Sequence, residues 1–420
     1  MQKANQLNQS IQSHAPAAFE MLSELGRSAA FPDGVPAQAV EAADCQYNGS
    51  IGQVTDGHGG AIPLPTLGEL FSGFELNSTL LYPPQLGLTP LRKAWGDRTA
   101  SRESGLRLPD PMVTVALTHA ISLCADLFSD SKTTILTPTP CWGNYSAVFG
   151  LRRGAQMRQW ALYNEEGGLN IEGFKTGLAN ISGKGIVVFN FPGNPTGYSP
   201  TLEETSALID AVSDHPGPLI VLVDDAYQGL VHEPEVLQHS IFYPLVQRLS
   251  AEKHMAVKID GATKELGFFG GRVGFLTLGT SDEAAAALYD KAAAIARATV
   301  SSAPAPSQMA VLACVTAPDI EAQIQQLKDL LRERYQKVRL CLPLLSEAGI
   351  EVFPFNSGCF ALMRLPEHLD PHAVRRNLIQ EHSVGLVALS SHQALRLAYC
   401  SMSAEQIEPA LSRLALSLRA

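Results

Sequence analysis

Lys264 ends the segment Asp260-Gly261-Ala262-Thr263-Lys264, just after the apolar run Met255-Ala256-Val257. A lysine amine can form a Schiff base with an aldehyde. Arg272 follows eight residues later in Phe268-Phe269-Gly270-Gly271-Arg272-Val273-Gly274-Phe275. Upstream lie Asn194-Pro195-Thr196-Gly197 and Asp224-Asp225-Ala226-Tyr227, and downstream comes Leu395-Arg396-Leu397. An aldehyde cofactor of the pyridoxal phosphate kind needs such a lysine, and an acid against its ring nitrogen. The ordered set of lysine, acid, amide, phenol and two arginines is far more specific than any one member.

Asp224 directly follows Leu219-Ile220-Val221-Leu222-Val223. A carboxylate there can keep a pyridine nitrogen protonated; alone, the same residue serves equally as a helix cap or turn acid. Asp225 is the rival, and the spacing to Tyr227 favours Asp224. Tyr227 and Asn194 can both donate to a phenolic oxygen, although Asn-Pro and Thr-Gly are also ordinary turn formers. Arg272, set among Phe268, Phe269, Val273 and Phe275, is expected to be buried, and a buried arginine needs an anion such as a phosphate. Arg396 on a strand has the planar fork that suits an α-carboxylate, or a structural salt bridge. Trp142 can stack on a planar ring or pack in a core. Thr118, after Val113-Thr114-Val115-Ala116, sits where a helix N-terminus can hold phosphate. His58 and His119 read as structural. Gly183-Lys184-Gly185 is not a phosphate loop, because the rest of that motif is missing.

These residues need elements to position them. Short apolar runs, rich in β-branched residues, are expected as buried strands at Met112–Ala116, Thr133–Thr137, Ile186–Phe191, Leu219–Val223, Met255–Ile259 and Val273–Leu278. Helical stretches such as Leu202–Val212 alternate with them, the pattern of an open, doubly wound, mostly parallel sheet. Trp142, Asn194, Asp224 and Lys264 each follow the carboxyl end of one of these strands, the edge at which open α/β sheets bind ligands. An amphipathic helix is expected over 15–27, with Phe19, Leu22 and Leu25 at helical spacing, and 31–66 reads as irregular. Long helices are expected over 283–297 and 318–347, the second charged on one face by Lys328, Arg332, Arg334 and Lys337. A small α/β unit follows with strands at Val352–Phe355, Cys359–Arg364 and Ala394–Ala398, then a helix opened by the capping-box pattern Ser403-Ala404-Glu405-Gln406. The expected organisation is an arm with part of a small domain over 1–75, a large domain over 76–310, and the rest of the small domain over 311–420. No repeat or low-complexity segment is evident.

The 420 residues are 45% hydrophobic and 17% charged, an ordinary globular composition. The net charge of −10, without a basic stripe, argues against nucleic-acid binding. Seven scattered cysteines without a CxxC pair suggest neither a disulfide framework nor a zinc site. The polar start Met1-Gln2-Lys3-Ala4 lacks a signal-peptide core, and no run approaches the ~20 apolar residues of a membrane span. A reduced, cytoplasmic protein is the expectation, with no metal and no membrane.

From about residue 46 to the C-terminus, these motifs together resemble the fold-type-I, class I/II aminotransferases of the aspartate aminotransferase superfamily. The resemblance implies a pyridoxal-phosphate enzyme, homodimeric with shared active sites, that acts on amino-acid and keto-acid substrates. Lys264 matches the cofactor-holding lysine, Asp224 and Tyr227 the ring-nitrogen acid and phenolic-oxygen tyrosine, Asn194 the family asparagine, and Arg272 the phosphate arginine. Arg396 matches the α-carboxylate arginine, and Trp142-Gly143-Asn144-Tyr145 resembles the stacking-tryptophan segment. Val115-Ala116-Leu117-Thr118 falls at the phosphate loop, and Tyr82, in Leu81-Tyr82-Pro83-Pro84, resembles the tyrosine that reaches the neighbouring subunit's phosphate. Ile51-Gly52 resembles the strip that closes over substrate, and Arg297 falls near the distal, cross-subunit arginine. The sequence departs from the family where Gly261 stands for the usual serine, where the phosphate loop has fewer hydroxyls, and where Tyr145 replaces a common histidine. The expected activity is transamination of an α-amino acid through a Schiff base on Lys264. The alternative on the same scaffold is elimination, replacement or carbon–carbon bond formation. A third class, the effector domain of a transcription regulator, needs a DNA-binding module ahead of the match, and about 45 residues are too few for one.

Overall fold

A computed structural model describes the chain apart from residues 1, 15–18, 20–21, 23–26, 28–34, 59, 61, 63, 71–81, 103–105, 251 and 419–420. Most of the helix expected over 15–27, including Leu25, lies outside the described residues.

The strands are β1 (Tyr47–Asn48), β2 (Met112–Val115), β3 (Thr134–Thr139), β4 (Gln156–Ala161), β5 (Gly185–Phe189), β6 (Leu219–Asp224), β7 (His254–Gly261), β8 (Val273–Gly279), β9 (Glu351–Val352), β10 (Phe360–Arg364), β11 (Val384–Gly385), β12 (Val387–Leu389) and β13 (Ala394–Ala398). Seven of them form one sheet in the order β2-β8-β7-β6-β5-β3-β4. The run from β4 to β7 is parallel, and β8 lies antiparallel to both β7 and β2. All six strand segments expected in this region are present.

Strand alternation decides which helices cover which face. Ile186, Val188, Leu222, Val257 and Ile259 join the helices Ala116–Phe128 and Asp282–Thr299 in one core. Val187, Phe189, Val221, Val223 and Ala256 join Ile171–Ala179, Leu202–Ser213 and Phe242–Arg248 in another. Fully burying each such side chain is worth roughly 1.5–3 kcal/mol, so both faces hold the sheet rigid.

Three expectations need correction. β4 is an additional strand at the sheet edge, with mostly exposed polar residues, so it lacks the apolar run that marks its neighbours. The long helix expected over 318–347 is two helices, Ile320–Leu340 and Leu342–Glu347, broken beside Pro343, which has no N–H to continue the ladder. Arg334 does not belong to a solvated face. It is buried and donates to the carbonyls of Cys400 at 2.5 Å and Thr55 at 2.8 Å. Smaller differences are the helix Val35–Glu41 within the stretch read as irregular, and a strand at 351–352 shorter than the one expected over 352–355.

A four-stranded antiparallel sheet, β12-β13-β10-β9, carries Arg396 on β13, opposite Leu362 and Val387. β1 pairs with β11 in parallel, Tyr47 with Val384 and Asn48 with Gly385, so residues near the start of the chain are tied to its last hundred. The last helix, Ala404–Ser417, opens as expected, the Gln406 side chain accepting from the Ser403 N–H at 2.9 Å.

Candidate active site

A cavity of about 240 Å³ opens at the carboxyl ends of β3, β5, β6 and β7, where the helix Ala116–Phe128 begins. Lys264, Asp224, Tyr227, Asn194, Trp142 and Arg272 all line it, as do Ala116, Leu117 and Thr118. A larger cavity, about 580 Å³, lies beside Tyr47, His58 and Gln406. Ile51 lines it, but none of the lysine, acid and phenol set does.

Lys264 sits on a four-residue helical turn, Ala262–Glu265, directly after β7. Its Nζ lies 5.1 Å from the centre of the Tyr227 ring. Burial pushes the amine below its ordinary pKa, against the opposing pull of the Asp224 charge. The other lysine of this stretch, Lys258, is turned into the protein and paired with Asp260.

Asp224 ends β6 and is almost fully buried. Its Oδ2 accepts from the Tyr145 hydroxyl at 2.6 Å, and its Oδ1 from the Ala226 N–H at 3.2 Å. Burial raises the carboxyl pKa, while the Tyr145 bond, the Lys264 charge and the Ala226 amide pull it down. Burial, then the Asp224 charge, pushes the Tyr145 phenol well above its ordinary value, so it stays a donor. Asp225 does not line the cavity, and its Oδ2 lies 3.7 Å from Lys258 Nζ.

Arg396 is buried over the Phe360 ring, 4.5 Å from its centre. Its Nη1 donates to Asn194 Oδ1 at 3.1 Å and its Nη2 to the Ser50 carbonyl at 2.9 Å, while the buried Nε has no partner among the described residues. Gly52 packs against the same ring: a Cβ there would come within 2.7 Å of Phe360 Cζ.

Arg272 departs from expectation. It lines the cavity but is exposed rather than buried. It follows the turn Phe269–Gly271 with φ 54°, a left-handed conformation that turns its side chain off the β8 line. Among the described residues its guanidinium bonds only the Phe269 carbonyl, Nη1 donating at 3.3 Å. Tyr82, with 93% exposure, and Arg297, bonded to Ser301 one helical turn on, do not line this cavity. His119 acts locally, its Nδ1 accepting from the Val115 N–H.

A family model described as Aminotransferase class I and II matches residues 58–414. The chain belongs to the class I and II aminotransferase family. The aspartate aminotransferase of Bacillus subtilis is 26% identical over 196 residues, 46% of this chain and 47% of that protein. That of Salmonella typhi is 28% identical over 239 residues, 55% of this chain and 58% of that protein. The chain thus spans about half the length of these curated relatives. An aminotransferase structure from Anaerococcus prevotii superposes with a TM-score of 0.83 at 19% identity, covering 95% of this chain and 100% of that one. Aspartate aminotransferase from Thermus thermophilus with maleate superposes with a TM-score of 0.75 at 20% identity, covering 94% and 99%. These superpositions show the fold.

In this class I and II aminotransferase-family chain, Asn190 and Thr263 also line the cavity; the sequence does not single out Asn190, and Thr263, whose position argues against it as a substitute phosphate donor, is brought to the cavity wall. Asn190 accepts from the Asn194 N–H at 2.9 Å and donates to the Asp224 carbonyl at 2.8 Å, joining the two loops. The strand expected over 186–191 runs through Asn190, whereas β5 ends at Phe189; a polar residue interrupting the apolar run is the signal the sequence holds. Gly261 has a steric reason. A Cβ there would lie 2.6 Å from the Val273 carbonyl and 2.9 Å from Gly274 Cα, so no larger residue fits between β7 and β8. Gly261→Ser should therefore destabilise the fold by about 1–3 kcal/mol, seen as a lower Tm. An unchanged Tm would show that β8 yields.

Proposed function

We propose that this chain is a pyridoxal-phosphate-dependent aminotransferase acting on an α-amino acid. The observation that carries the reading is the shared cavity of Lys264 and Asp224, from which Lys258 and Asp225 are turned away. The donor set suits the cofactor. It offers a buried amine with a lowered pKa, a buried carboxylate held by a phenol, a flat Trp142, and an arginine at the rim beside the Ala116-Leu117-Thr118 helix start. Bound pyridoxal phosphate supplies an electron sink for negative charge at the substrate's Cα.

The residues divide the work. Lys264 would hold the cofactor through its amine, and the same amine is the base placed to move the substrate's Cα proton. Asp224 keeps the ring nitrogen protonated, and Tyr145 keeps Asp224 anionic. Arg396, whose unpartnered Nε is a donor inside the protein, takes the α-carboxylate and so orients Cα. Asn194, bonded to Arg396 and lining the cavity, and Tyr227 serve the cofactor's phenolic oxygen. Ile51 and Gly52 belong to a strip over the substrate.

Purified protein mixed with pyridoxal phosphate and a panel of amino acids tests this. Loss of the lysine-linked cofactor absorbance with particular amino acids, together with keto-acid formation, is expected. Transamination leaves the nitrogen on the cofactor as pyridoxamine phosphate; keto acid released together with ammonia would point to elimination instead, and loss of absorbance without keto acid to replacement or carbon–carbon bond formation. Tyr145→Phe should move the acid limb of kcat/KM to higher pH: without the phenol's bond Asp224 takes a proton more readily and loses its charge earlier as pH falls. An unmoved limb would remove Tyr145 from this role.

Tyr82 and Arg297 are exposed and lie outside the cavity of their own chain. On this reading they serve the partner's site in a homodimer, and the chain divides near residues 75 and 310 as its sequence suggests. Arg297→Ala should raise KM selectively for acidic substrates; an equal effect on all substrates would make the residue structural, as befits a cation at a helix C-terminus.

A further inference from the structure

Lys258 has no part in the chemistry above, yet it is 1% exposed. Along β7, Lys258 and Asp260 point to one face of the sheet and Ile259 to the other. Ile259 pairs with Asp224 in register, and Lys258 with Val223. The Lys258–Asp260 pair thus lies behind the cavity wall, on the face covered by the helix Phe242–Arg248.

Every element packed there contributes. Lys258 Nζ bonds Asp260 on its own strand and lies 3.7 Å from Asp225 Oδ2 at the end of β6. Tyr243, on the covering helix, faces the same ammonium. Trp95, on the helix Thr89–Arg102, donates to Asp260 Oδ2 at 3.0 Å and stacks at 4.0 Å on Phe275, the register partner of Asp260. One turn on, Arg98 bonds Glu265 at 2.6 Å. The same helix therefore grips the lysine turn four residues before Lys264 and one residue after it.

We propose that Lys258 is a positioning residue: bridging Asp260 and Asp225 behind the sheet, it locks the ends of β6 and β7 together and so sets where Lys264 stands relative to Asp224. Stability alone is a weak reason for three buried charges, because an apolar replacement of a buried ion pair is often neutral or stabilising. A reacting pair, by contrast, is sensitive to small displacements. Burial, opposed by Lys258, pushes Asp225 up to about 7, so near neutrality Asp225 is poised to take up a proton beside the anionic Asp224.

The inference rests on the cofactor reading above, and the test separates the two. Lys258→Met alone strands two buried carboxylates and is expected to lower the Tm sharply. The double variant Lys258→Met with Asp260→Asn removes two of the three charges; Asp225, without Lys258 to hold its pKa down, takes up a proton, so the variant should melt within a few degrees of wild type. In that variant the pH midpoint of the bound cofactor's absorbance should nonetheless move by about one pH unit, and pyridoxal phosphate should bind the apoprotein about tenfold more weakly, as the lysine turn loses its register. A stable double variant with wild-type midpoint and affinity overturns the inference, and so does one that fails to fold, which would make the pair structural. Wild-type protein that shows no lysine-linked absorbance overturns the parent reading.

Discussion

Lys264→Ala is expected to abolish turnover while leaving non-covalent binding of pyridoxal phosphate measurable. The amine both links the cofactor and moves the Cα proton, and loss of a positioned proton-transfer group alone lowers rates by roughly 10²–10⁴-fold. Borohydride reduction of the wild-type protein with its cofactor should fix the pyridoxyl group to Lys264, and peptide mapping locates it. The structure makes Lys258 the sharp control, because that amine lies in the same stretch but is already engaged by Asp260. A label on Lys258 or on the exposed Lys253 would sink the assignment.

Asp224→Asn should leave the fold nearly intact, since the amide oxygen can still accept from the Ala226 N–H while the amide NH2 donates to the Tyr145 hydroxyl oxygen. Activity should nonetheless fall by about two orders of magnitude, because preorganised charge in a water-excluded site is typically worth ~3 kcal/mol or more. Steady-state kinetics at saturating cofactor measures it. A harmless Asp224→Asn beside a crippling Asp225→Asn would shift the register by one residue.

What the sequence disclosed follows from how each signal is generated. Buried strands such as Ile186–Phe191 and Leu219–Val223 stand out because both faces are packed, which makes them continuously apolar. β4 stayed hidden because an edge strand facing water shares its composition with loops. The residues following strand ends were legible because topology dictates that edge, and Lys264, Asp224 and Asn194 do meet there. The Tyr145–Asp224 bond spans 79 positions, and only the closed fold brings those residues together. The aromatic neighbours of Arg272 suggest burial, whereas a positive φ, invisible in the sequence, turns it to the rim. Arg334 is the converse: the sequence groups it with charged neighbours on one helix face, while the fold buries its guanidinium on the carbonyls of Thr55 and Cys400.

The contact of Gly261 with Gly274 across β7 and β8 also bears on how such a protein can change. A Cβ at 274 would lie 2.5 Å from the Ala116 carbonyl carbon, so three backbone segments meet where neither glycine can grow first. Replacements at the two positions are therefore epistatic, each admissible only on a background where β8 has already moved. Laboratory evolution by single steps should find this corner closed, and a library varying 261, 273 and 274 together is the way to open it.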